Sequence, residues 1–122
     1  MSLVAIVLTA LVLLVHAWIV VLEMVLWDTP RGRAAFGTTP ELAAQTTVLA
    51  ANQGLYNGFL VAGLALALFG PEAHRFAFAV FTLSCVVVAG VYGAATASRR
   101  ILWVQAVPGL LALGAQLLAH RG

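Results

Sequence analysis

Four long apolar runs, joined by short connectors, constrain this chain more than any other feature. The first extends from Leu3 to Trp27 and is interrupted by His16 and Glu23. The second follows Pro40 and reaches Phe69, the third covers Arg75 to Ala97, and the fourth Ile101 to Ala119. None alternates apolar and polar residues as a half-buried strand does. Each reaches the ~20 residues with which an α-helix crosses a hydrocarbon layer. Hydrocarbon offers no partners to backbone N–H and C=O groups, so runs of this kind are expected as helices. The expected fold is all-α: a polytopic four-transmembrane-helix bundle, one membrane domain over 1–122, with helices at about 3–27, 40–69, 75–97 and 101–119.

Composition agrees with that class. Only 8% of residues are charged and 63% are hydrophobic, where a soluble domain carries about 25% charge. The net charge of +2 comes from six Arg against four acids, with no Lys. With no basic run and no recognition motif, it indicates arginines at lipid headgroups and no nucleic-acid partner. The first run lacks a basic leader and a small-residue cleavage site, and is too apolar for too long to be a signal peptide. The lone Cys85 has no internal disulfide partner and fits a small buried hydrophobe.

Connectors carry the punctuation. Asp28 to Pro40 holds Pro30, Gly32, Gly37 and Pro40 together with Arg31 and Arg33. Thr39-Pro40-Glu41 has the form of a helix start: a hydroxyl cap, Pro at the first helical position and an acid in the first turn. Arg31, Arg33, Arg99 and Arg100 stand against Arg75 and Arg121 on the opposite side. This bias puts connector 28–40 and loop 98–100 in the cytoplasm and both termini outside.

Polar side chains in such runs need partners or a task. At a helical rise of ~1.5 Å per residue, they gather in the cytoplasmic half. Glu23 lies about one turn in from Trp27. Asn52, Gln53, Tyr56 and Asn57 lie within the first turns of the second span, Tyr92 and Thr96 at the matching end of the third, and Gln105 about a turn into the fourth. His16 sits nearer the midplane and, seven residues before Glu23, shares its face. Asn52 and Tyr56 share a stripe of the second helix with Gln53 and Asn57 beside it. The expectation is a binding pocket formed by His16, Glu23, Asn52, Gln53, Tyr56, Asn57, Tyr92, Thr96 and Gln105, with Glu23 paired, hydrated or protonated. Arg31 or Arg33 is a candidate to fold back onto Glu23. Gly54 and Gly58, and Gly90 with Ala94, form small-x-x-x-small patterns suited to close helix packing. Pro108 removes a donor from the fourth helix beside Gln105 and predicts a kink there. No second His or Cys stands at ligand spacing, so no metal is expected, and no nucleotide or nucleophile motif implies a cofactor.

Several segments together resemble the bacterial domain-of-unknown-function family 1304. They are His16, Glu23, the connector from Trp27 through Thr29-Pro30-Arg31-Gly32-Arg33 to Phe36, the run Ala50-Ala51-Asn52-Gln53-Gly54-Leu55-Tyr56-Asn57-Gly58-Phe59, and Ala89-Gly90-Val91-Tyr92-Gly93-Ala94-Ala95-Thr96. The resemblance implies a small four-helix protein of the bacterial inner membrane and supplies no catalytic residues. The layout is also similar to DoxX-like membrane proteins.

Three functions fit these residues. The first is binding or transport of a small or lipophilic molecule, with Glu23 as a titrating carboxylate. The second is an intramembrane enzyme, isomerase-like, in which His16 and Glu23, ~10 Å apart along one face, act as acid and base. The third is a non-catalytic scaffold or subunit whose polar groups specify packing. The sequence leans away from the enzyme. The expected partners are the lipid bilayer, a small lipophilic ligand and a second copy of the chain, because four spans leave few side chains to wall a large cavity.

Overall fold

The computed structural model describes every residue from Met1 to Gly122. The chain is all-α. Helix α1 is Leu3–Met24, α2 Pro30–Phe36, α3 Pro40–Phe69, α4 Glu72–Thr96 and α5 Val107–Arg121, with a π-helical turn at Leu102–Ala106 leading into α5. Three helices are long and apolar enough to cross a membrane: Leu3–Met24, Glu72–Thr96 and Leu102–Arg121. The expected fourth, α3, is not among them. Asn52, Gln53, Tyr56 and Asn57 dilute its first half, and its uninterrupted apolar part is only Phe59 to Phe69.

Local chemistry sets the boundaries. Helix α3 starts as the sequence predicts: Thr39 Oγ1 accepts from Leu42 N at 3.1 Å, Pro40 follows, and Glu41 lies in the first turn. The connector holds a helix the sequence reading left out. Thr29 caps α2 by accepting from Gly32 N at 3.2 Å, and Pro30 occupies the first helical position. Gly37, at φ 66, ends it in the left-handed conformation that glycine adopts without strain. Helix α4 begins at Glu72, three residues before the expected Arg75, because an acid in the first turn suits the helix dipole. Before Pro108 the backbone does not simply kink. Val107 N donates to Leu102 O, five residues back. This wider turn accommodates the missing proline donor.

The chain packs in two compact units, Met1–Val15 with Leu60–Gly122, and His16–Phe59. In the first, Val12, Leu64, Leu83 and Val86 form a core with Ala67, Ala79 and Ala112. Small residues let its helices approach closely. A Cβ on Gly90 would stand 2.6 Å from Ala106 N, and one on Gly109 would stand 2.8 Å from Val86 Cγ1. In the second unit, Ala43, Ala50, Gly54 and Asn57 form the buried stripe of α3. Trp27 Nε1 donates to Thr46 Oγ1 at 3.1 Å, and its ring lies 4.8 Å from that of Phe36.

Candidate functional site

The chemistry of the His16–Phe59 unit centres on one contact. Asn57 Nδ2 donates to Glu23 Oε1 at 2.6 Å. Both residues are buried, at 8% and 7% exposure. The contact depends on Gly54, one turn before Asn57. A Cβ there would collide with Met24 Cγ and lie 3.1 Å from Glu23 Cβ. Glycine therefore lets α3 approach the last turn of α1, and the turn that follows delivers the amide to the carboxylate. His16 is fully buried on α1. Arg33 is engaged elsewhere: its Nη1 meets Asp28 Oδ1 at 2.8 Å. Asp28 stands next to the cap of α2, on which Arg33 is carried, so this partner is local.

The other expected pocket residues have different surroundings. Asn52, Gln53 and Tyr56 are exposed. Asn52 Nδ2 donates to Val48 O of its own helix at 3.1 Å. The Tyr56 ring meets Phe59 edge-on at 5.8 Å. Tyr92, Thr96 and Gln105 belong to the other unit. There Tyr92 is 71% exposed, Thr96 Oγ1 donates to Tyr92 O at 2.7 Å, and Gln105 is half-buried. No three His, Cys, Asp or Glu side chains stand together as a metal-ligand set.

A second buried polar contact escaped the sequence reading. Gln116 Nε2 donates to Thr9 Oγ1 at 2.9 Å, inside the Met1–Val15 and Leu60–Gly122 unit. Thr9 is fully buried and Gln116 is 1% exposed. The signal for Thr9 was its spacing. Thr9, His16 and Glu23 recur every seven residues along α1, which keeps them on one face. A threonine in an apolar run draws less notice than a histidine or a glutamate, since its hydroxyl can bond its own helix.

Neither a curated protein nor a solved structure matches the chain. A family model described as a protein of unknown function, DUF1304, matches residues 10–117, a range that includes the Glu23–Asn57 contact and Gln116. The chain therefore belongs to the DUF1304 family.

Proposed function

We propose that this chain is a four-span protein of the bacterial inner membrane that binds a small or lipophilic molecule, with Glu23 exchanging a proton for it. The observation that carries this reading is the Glu23–Asn57 hydrogen bond. If the contact served only to join two helices, a glutamine at position 23 would hold Asn57 equally well without the cost of an ionisable group in hydrocarbon. A carboxyl group there makes sense if its charge is used. Antiparallel register supports α3 as the fourth span: from Glu23 to Trp27, contacts on α3 step back from Asn57 to Thr46. Asn52, Gln53 and Tyr56 support a homodimer. Exposed amides and a phenol on a membrane helix need cover, and a second copy supplies it. Connector 28–40 and loop 98–100 then face the cytoplasm.

A lipophilic cation, tetraphenylphosphonium, is the probe suited to a buried carboxylate. Protein in proteoliposomes is expected to bind it saturably, with affinity falling as pH is lowered. Glu23→Gln keeps an acceptor for Asn57, so it should retain the fold and weaken binding by about tenfold or more, the worth of one charge-assisted contact. Equal binding by wild type and Glu23→Gln would sink the reading. The close packing at Gly54 favours a second reading, a scaffold whose carboxyl group only joins helices. In that case Glu23→Gln changes assembly or stability, and no probe binding depends on it.

A further inference from the structure

The Met1–Val15 and Leu60–Gly122 unit contains a cavity of about 610 Å³ that no part of the reading above uses. It opens among the start of α1, the end of α3, the start of α4 and the end of α5. Ile6, Leu68, Phe76 and Ala119 give it apolar walls, and Gln116, Arg75, Glu72 and His120 contribute its polar groups. Its volume lies within the ~300–1,000 Å³ of pockets that enclose small molecules.

Two features show what would fit. Gln116 is 1% exposed and uses its amide nitrogen on Thr9 Oγ1 at 2.9 Å and Met1 Sδ at 3.3 Å. Its Oε1 is buried with no hydrogen-bond partner. A buried acceptor without a donor is costly, so a hydroxyl or amide entering the cavity would gain a bond the protein leaves unmade. The rim is held in place. Arg75 Nε donates to Gly70 O at 2.7 Å, which fixes the guanidinium over the end of α3. His120 stacks on Phe76 with ring centroids 3.7 Å apart and planes at 9°. Water alone would satisfy Gln116 but would leave the apolar walls wetted. An amphiphile meets both demands.

We propose that this cavity binds a single-chain amphiphile with an apolar body, a hydroxyl that donates to Gln116 and an anionic head that meets Arg75. A lysophospholipid and a soluble hydroxylated alkyl phosphate share this chemistry. The site is separate from Glu23, and its test does not depend on the transport reading.

The full-length protein is purified in a neutral maltoside and titrated with three probes: myristoyl lysophosphatidylglycerol, a glycerol-free myristyl phosphate, and myristyl alcohol. Binding is followed by native mass spectrometry and thermal shift. The lysophospholipid is expected to bind tightest, with the phosphate and the alcohol each weaker by about tenfold, one lost polar contact apiece. Gln116→Leu should erase the preference for lysophospholipid over phosphate while leaving phosphate binding intact. Arg75→Gln should erase the preference over the alcohol. Ala119→Phe, which fills the cavity from its wall, should abolish binding of all three, and Glu23→Gln should change none of them. Equal binding of all three probes to wild type, or unchanged binding by Ala119→Phe, overturns the assignment. If the alkyl phosphate equals the lysophospholipid in wild type, the hydroxyl contact at Gln116 is wrong and the proposal falls.

Discussion

A methyl group added at Gly54 would run into Met24 Cγ and stand 3.1 Å from Glu23 Cβ, whereas one added at Gly58 would meet nothing within 4 Å. The two glycines form one G-x-x-x-G, yet only Gly54 is spent on helix approach. Met24 is 45% exposed and can swing aside for a single methyl, but the branches of valine would also press on Glu23, which cannot move without leaving Asn57. Gly54→Val is therefore expected to destabilise the protein by about 1–3 kcal/mol, the usual cost of overpacking. Gly58→Ala should stabilise it by about 0.5–1 kcal/mol, the difference between glycine and alanine inside a helix. Thermal unfolding of both variants in one detergent checks the contrast, and a Gly54→Val as stable as Gly58→Ala would contradict it. Which glycine mattered was not legible in the sequence, because lipid is as apolar as a core and hydrophobic residues therefore do not mark the packed face. The mark they leave in a soluble helix is carried here by small residues: Ala43, Ala50 and Gly54 line the buried side of α3, while Leu55 and Phe59 are exposed. Polar residues sort themselves no better. Asn57 is buried on Glu23, and its neighbour Tyr56 is 66% exposed.

At the level of elements, helix starts were the most legible feature, since capping is local chemistry. Thr39-Pro40-Glu41 marks the start of α3 in the sequence, whereas α2, a seven-residue helix capped by the similar pair Thr29-Pro30, is not among the expected helices because its connector is full of breakers. The form of the backbone at Pro108 was not legible, because a missing donor can be absorbed by a kink or by a wider turn, and packing against α4 decides between them. Here Ala106 in the π-helical turn meets Gly90 at backbone distance. Helix α2 offers the sharpest element-scale test. A Cβ on Gly32 would collide with the carbonyl of Leu26 and stand 2.8 Å from that of Trp27, and backbone cannot swing aside as a side chain can. Gly32→Ala should unseat α2 from the end of α1, break the Trp27–Phe36 ring contact and expose Trp27. In a Trp18→Phe, Trp103→Phe background, where Trp27 alone emits, its fluorescence should shift to the red and become more accessible to acrylamide. An unshifted spectrum would mean that α2 tolerates the methyl by moving as a body.

For the whole molecule the open choice is between three and four membrane crossings, and the Glu23 proposal depends on it. Helix α3 has 30 residues, about 45 Å at a helical rise, which exceeds the ~30 Å of hydrocarbon. Its apolar half, Phe59 to Phe69, is too short to cross alone, so the amide-bearing turns must enter the membrane if α3 spans. Their cost is lowered where a partner exists: Asn57 is bonded to Glu23, and Asn52 to its own Val48 carbonyl. In the three-span alternative α3 lies at the surface, its apolar end has no aqueous neighbour that suits it, and the termini end on opposite sides. Four crossings would return them to the same side, which is the outside in the orientation proposed above. With Cys85 replaced by serine, single cysteines at Ser2, Thr38 and Arg121 can be tested in intact cells with a membrane-impermeant maleimide. The expected outcome is labelling at positions 2 and 121 and protection at 38 until the cells are opened. Labelling of 2 and 121 from opposite sides would establish three crossings. It would also place the amide-bearing turns of α3 in the headgroup region, where Glu23 and Asn57 would meet water and a carboxyl group would carry no particular advantage over an amide.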